Sequence, residues 1–414
     1  MLWRTMKKLL NHLTRHAAAC TACLLLYFLA ACSHSTPQPP HNEQQGEEPT
    51  SVDYSAFGIQ KVYTVEWLHE LNIAPKGAFQ AIRWQLTTPD GVAQESSELP
   101  TYQFFARDRG SYKLALSVTE KEHTTELPIT IEVIPEKTPY SRYLAHVLTF
   151  CPAPGQFVNV LPSSKSASTE EDMRTEAEKS LKQNALISLG AFGGYVIFTF
   201  DHPVVNRAGM DFIVFGNAVE IYKKEGANDA EPGCVWVAKD LNKNGKPDHE
   251  EWYQLAGSEH HNPKTIHNYS VTYFRPDKEP VTSADSLQYI RWEDNQGNTG
   301  FIPKNKYHAQ FYYPTWIKEK SYTLSGTRLP DNAINNNGTY LLPNFEYGYV
   351  DNYPNSSERA RMDIDWAVDN EGNKVSLDRI DFIKVVCGMQ QVCGWIGETS
   401  TEVMGAADLH IPTK

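Results

Sequence analysis

After residue 29 the 414-residue chain has no apolar run of the roughly 20 residues that a membrane-crossing helix needs. A GxSxG elbow, an HExxH zinc helix and a P-loop are all missing, so three common catalytic chemistries have no local signature. Beyond residue 31 there is no CxxC pair, which removes the usual zinc-knuckle and redox-dithiol patterns. Positive charge is scarce. Against 50 Asp and Glu stand 38 Lys and Arg, a net charge of −12. Such a balance repels nucleic-acid phosphates and suits divalent cations. No internal repeat is visible.

What is present begins with an address. Met1 to Arg15 carries Arg4, Lys7, Lys8 and Arg15 and no acid, and Ala17 to Leu29 is apolar apart from one threonine. The segment closes on Leu29-Ala30-Ala31-Cys32, small residues followed by cysteine. It resembles a bacterial lipobox, which implies cleavage after residue 31, lipidation of Cys32 and anchoring to the outer membrane, with display at the cell surface. Losing four cations takes the net charge to about −16. Residues 32–52 read as a flexible tether, rich in Pro, Gln and Glu and without apolar periodicity. Ser33-His34-Ser35 follows the cysteine, and acids begin only at Glu43.

The remaining chain of about 380 residues exceeds one ordinary domain. Residues 53–137 show short runs of period-two alternation, VYTVEWL, AIRWQLTT, YKLALSV and ITIEVIP, separated by turn signals such as Pro89-Asp90-Gly91. FFARDRGSYKLALSVTEKEHTTELPITIEV resembles the second half of a PKD-like, immunoglobulin-type domain, which implies a spacer. Residues 140–414 continue with YVIFTF, DFIVFGN, CVWVAKD, EWYQLA, YSVTYF and IDFIKVV between Gly/Asn/Pro turns. One charged helix is predicted over Glu170 to Asn184, exposed to solvent. The predicted fold is all-β: a small sandwich followed by a larger, jelly-roll-like sandwich with long loops. Cys151, Cys234, Cys387 and Cys393 allow three disulfide pairings. Cys387 and Cys393 are close enough to bridge a turn, which would leave Cys151 with Cys234; four buried thiols is the other reading.

DLNKNGKPDHEE, between two strand-like runs, carries the strongest site signal. Calcium takes six to eight hard oxygens at about 2.3–2.6 Å. Asp240, Asn242 and Asn244 supply side-chain oxygens, Lys246 its carbonyl, Asp248 a direct or water-mediated contact, and Glu251 a bidentate carboxylate. Gly245 permits the reversal between them. The predicted structure is a hairpin whose tip holds the ion, so that metal binding and folding are coupled. Asp363, Asp365 and Asp369, and separately Glu398, Glu402 and Asp408, form weaker acidic groups. Tyr312, Tyr313 and Trp316, with Trp292 and Asn295 upstream, combine aromatic faces with an amide and form the candidate ligand surface. His260 and His261 read as a solvated polar turn. Carboxylates such as Glu231, Glu259 and Glu293 leave a glycan-cleaving enzyme as an alternative, since that chemistry needs two carboxyls about 5–10 Å apart.

Several stretches in order, SLGAFGGYVIFTFDHPVVN, DFIVFGNAV, EPGCVWVAKDLNKNGKPDHEEWYQLAGSE, FYYPTWI, YVDNYPN, DIDWAVDNEGNKVSLDRIDFIKV and GWIGETSTEV, resemble a family of Bacteroidota-type surface lipoproteins with a PKD-like domain. The resemblance implies an accessory of a TonB-dependent transporter that captures a small ligand such as a corrinoid (cobalamin-like), with glycan capture as the alternative, and no catalysis. The Glu250-Glu251 pair makes the acidic loop one residue longer than the family pattern and places an acid at its twelfth position.

Overall fold

The computed structural model describes residues 52–220, 229–280 and 285–413. The leader, Cys32 and the tether up to residue 51 lie outside the described residues. No helix among the described residues is long and apolar enough to cross a membrane.

The described residues are nearly all β, with two large hydrophobic clusters and a small third one of Ile213, Ala360 and Ala407. In the first, a four-stranded sheet runs in the order Val62–Glu66, His123–Ile134, Gly110–Glu120, Ala81–Thr87, and its first pair is parallel. A two-stranded sheet of Glu70–Ile73 and Tyr102–Phe105 stands beside it. Alternation decides which side is buried: Tyr112, Leu114, Leu116 and Val118 point inward from one strand, with the more exposed Lys113, Ala115 and Ser117 between them. They pack with Trp84, Leu127 and Ile131.

The second cluster lies mainly among residues 144–406. A six-stranded antiparallel sheet runs Ala367–Val368, Trp252–Leu255, Gly233–Ala238, Arg379–Cys387, Tyr195–Val205, His146–Cys151. A four-stranded sheet of Thr299–Ile302, Ile290–Asp294, Ile266–Phe274 and Ser321–Arg328 sends Tyr269, Val271 and Tyr273 into the same core. Tyr273 donates to the Phe192 carbonyl at 2.9 Å, and Tyr269 meets the Phe192 ring edge-on.

The helix spans Glu170–Lys182 and starts at a capping box between Thr169 and Asp172. It is not wholly solvated, because Met173, Ala177 and Leu181, spaced by four, are buried. The four cysteines are free thiols, so the disulfide expectation gives way to the thiol one. Burial pushes the Cys151 thiol up to about 12 and that of Cys387 to about 11.

Polar contacts join the N-terminal sandwich to the larger one. Tyr140 donates to the Trp67 carbonyl at 3.2 Å, and Arg207 pairs with Asp108 at 2.7 Å. Glu70 accepts from both Arg379 and Lys243. Lys243 lies inside the acidic loop.

Candidate functional site

The loop joins Gly233–Ala238 to Trp252–Leu255, which pair as a hairpin with Ala238 opposite Trp252. Its side chains fold it. Asp240 accepts from the backbone N–H groups of Asn244 at 3.1 Å and Gly245 at 2.8 Å. Asn242 accepts from Asn244 N–H at 3.0 Å, and Asn244 accepts from Lys246 N–H at 2.7 Å. These short Asx-type links wind the chain about its own oxygens. Gly245 has φ +72°, a conformation that costs glycine little, and Lys243 adopts a similar one at +60°.

Glu251 closes the circuit. It is only 4% exposed, with one oxygen accepting from Leu241 N–H at 2.8 Å and the other from Asp248 N–H at 3.0 Å. Asp248 in turn accepts from the side-chain amides of Asn242 and Asn244. Asp240, Asn242, Asn244, Asp248 and Glu251 are thus linked through one short loop. All of them are hard oxygen donors, three are carboxylates, and no histidine nitrogen or thiol joins the set. That chemistry fits calcium rather than a softer metal.

The aromatic set is not a surface. Tyr312 and Tyr313 have no exposure and Trp316 only 3%. Tyr312 donates to His308 O at 3.3 Å and accepts from Asn305 N–H at 2.9 Å, while Tyr313 donates to Glu319 O at 3.0 Å. Trp316 stacks on Phe150. Trp292, half-buried, covers Gly300 on the neighbouring strand. Asn295 braces a turn by donating to Asn268 O at 2.8 Å. Aromatic density in the sequence therefore marks core filling here, as flat rings fill the space between two sheets. His260 is buried as well, and burial pushes its imidazole down to about 4. Asp363 and Asp369 cap turns through the N–H groups of Asp365 and Asn373.

A second acidic group escapes spacing analysis. Carboxylate oxygens of Glu231, Asp351 and Glu402 lie within 4.8 Å of one another. Asp351 holds φ +57° and accepts from the N–H groups of Asn217 at 2.7 Å, Ala218 at 2.8 Å and Glu402 at 2.9 Å. Ser400 donates its N–H to Glu231 and its hydroxyl to Glu402. Burial, reinforced by mutual repulsion, raises Glu231 and Asp351 well above the usual carboxylate range. Burial likewise pushes Glu402 up to about 7 and nearby Glu398 up to about 8. Each of these shifts favours the protonated carboxyl. Its members come from EPG, YVDNYPN and GETSTEV, and no local spacing joins them.

No family model and no curated protein matches the chain. Among solved structures, a SusE-like protein is 9% identical over 83% of this chain and 94% of its own, with a TM-score of 0.24. An apo β-glucuronidase of Bacteroides uniformis is 10% identical over 59% and 23%, at 0.15. Carbohydrate-binding modules of the β-sandwich superfamily are 10% identical over 84% and 94%, also at 0.15. Scores of this size leave the fold to be read from the sheets themselves, and those are all-β.

Proposed function

We propose that the chain is a calcium-tied, lipid-anchored binding protein of the outer membrane, held through Cys32 and facing the cell surface. It captures a ligand there and passes it to a TonB-dependent transporter. The observation that carries this reading is the loop 240–251, where five oxygen-bearing side chains are linked around a hairpin tip. Calcium would be held by Asp240, Asn242, Asn244, the Lys246 carbonyl, Asp248 and Glu251. At a hundred times its dissociation constant, an ion bound only by the folded state adds about 2.7 kcal/mol of stability. That is enough to decide whether the hairpin keeps its register. For the ligand, the sequence resemblance supports a corrinoid. A separate aromatic and amide surface, described below, supports a glycan.

Thermal unfolding with and without a chelator tests the metal. The wild type should melt higher in calcium, and the double variant Asp240→Ala, Glu251→Ala should melt at one temperature in both conditions. A wild-type curve that ignores calcium would sink the assignment. Calorimetric titration of the mature chain with cyanocobalamin and with a glycan panel tests capture.

A further inference from the structure

We infer that Trp395, Tyr307 and Tyr340 form a carbohydrate-binding platform, built where two loops meet the hairpin of Ile334–Asn336 and Thr339–Leu341. The inference rests on the ligand-capture reading above and gives it a site and a ligand class.

Trp395 is 59% exposed and Tyr307 66% exposed, although both are large aromatic side chains. Neither segment hangs free. The Trp395 indole N–H donates to Gly338 O at 3.1 Å, and its carbonyl accepts from the Asn305 side-chain amide at 2.7 Å. The same Asn305 side chain accepts from Tyr307 N–H at 2.9 Å, so one carboxamide links the backbones of both aromatic residues. Tyr340 lies against Gly394, where an added Cβ would fall 2.7 Å from its ring. Gly394 also has φ +54°, so the loop is shaped to let that ring approach. Below, Gln156 donates to Ile396 O at 2.9 Å and ties the Trp395 loop to the core.

The chemistry selects the occupant. With its N–H already bonded, the indole offers a flat apolar face and no donor. The hairpin it bonds carries carboxamides: Asn335, which donates to the Tyr340 hydroxyl at 3.2 Å, and the exposed Asn336 and Asn337 at its tip. A face for C–H groups beside amides for hydroxyls is the pattern a pyranose ring needs, apolar on one side and rimmed with hydroxyls. Lys306 places its ammonium 4.8 Å from the Tyr307 ring centroid, and the net charge of about −16 left without the leader disfavours phosphorylated or strongly anionic ligands, so the proposed class is neutral saccharide.

The mature chain is titrated calorimetrically with maltohexaose, cellohexaose, xylohexaose and mannohexaose, and with cyanocobalamin. At least one saccharide should bind. Trp395→Ala should weaken it about tenfold or more, Trp395→Phe less, and Tyr307→Ala by a smaller factor. Tyr307 is so exposed that its variant should melt like the wild type, which keeps the test open if Trp395→Ala fails to fold. The platform is overturned if no saccharide binds, or if binding is unchanged in both alanine variants. Cyanocobalamin binding that is indifferent to these variants, with no saccharide bound, would remove the platform and leave capture standing. No heat with any ligand would remove both.

Discussion

The loop 240–251 and the Glu231–Asp351–Glu402 group both gather carboxylates, and the protein treats them in opposite ways. In the loop the acids lie within twelve residues of each other, Asp240 and Asp248 half-buried and Glu251 buried, and they fold the chain that carries them. In the core group the acids arrive from three segments, Asp351 and Glu402 buried and Glu231 half-buried, and loss of solvent raises their affinity for protons. Backbone N–H groups stabilise both. The difference is solvent: in the proposed reading the loop would exchange water for a cation, whereas burial biases the core group toward its protonated forms.

Removing Asp351 should separate the two most sharply. Asp351→Ala strips the acceptor from three N–H groups, two of them in buried residues, and forces alanine into a left-handed backbone conformation. Each orphaned buried N–H costs about 1–3 kcal/mol, so the loss should be about 3 kcal/mol or more in urea unfolding. Asp351→Asn keeps an acceptor and tolerates the backbone, and should lose less. A loss under about 1 kcal/mol for the alanine variant would show that the N–H groups find other partners.

Glu251→Ala comes next. Two backbone N–H groups lose their acceptor, at a cost of about 2 kcal/mol, and the calcium increment should vanish with it. If the increment survives, Glu251 is a cap and not a ligand.

Protons should act on the core group and on Glu398 beside it. Glu398 and Glu402 titrate at about 8 and about 7 in the fold, against an ordinary 4.5. The folded state therefore binds more protons than the unfolded chain over this interval. Their contribution is fully present below about 4.5 and is lost as pH rises through about 7 to 8. Glu398→Gln should match the wild type near pH 5 and melt above it near pH 9. Equal melting at both values would refute the shift.

The unequal legibility of these regions has a physical cause. Period two exposed the strands because one face of each is buried, and the hairpin around DLNKNGKPDHEE was readable because the hydrogen bonds that wind it run between residues 240 and 251. The core acids were not, since Glu231, Asp351 and Glu402 meet only through sheet topology. The aromatic set failed for a related reason: composition shows that Tyr312, Tyr313 and Trp316 are apolar and flat, but a period-two pattern does not say which loop aromatics the second sheet covers. Trp395 gave one signal in the sequence, a tryptophan between glycines in CGWIGE, where a loop can hold a large ring out of the core.

The smallest expected effect links the loop to the N-terminal sandwich. Glu70, on the strand Glu70–Ile73, accepts from Lys243 of the loop and from Arg379 of the six-stranded sheet. Glu70→Ala should cost less than about 1 kcal/mol, because Lys243 is half-exposed and its pair is screened. Arg379 keeps Asp378 at 2.7 Å and the face of Phe105 at 4.2 Å. What should change is communication. In the wild type, calcium that stiffens the loop also fixes Lys243, so hydrogen exchange should slow in 70–73 as well as in 239–251. In Glu70→Ala the slowing should be confined to the loop. Calcium-dependent protection of 70–73 that persists in the variant would mean that the two sandwiches are held together by the Tyr140 and Arg207 contacts, and that the ion acts on its own hairpin alone.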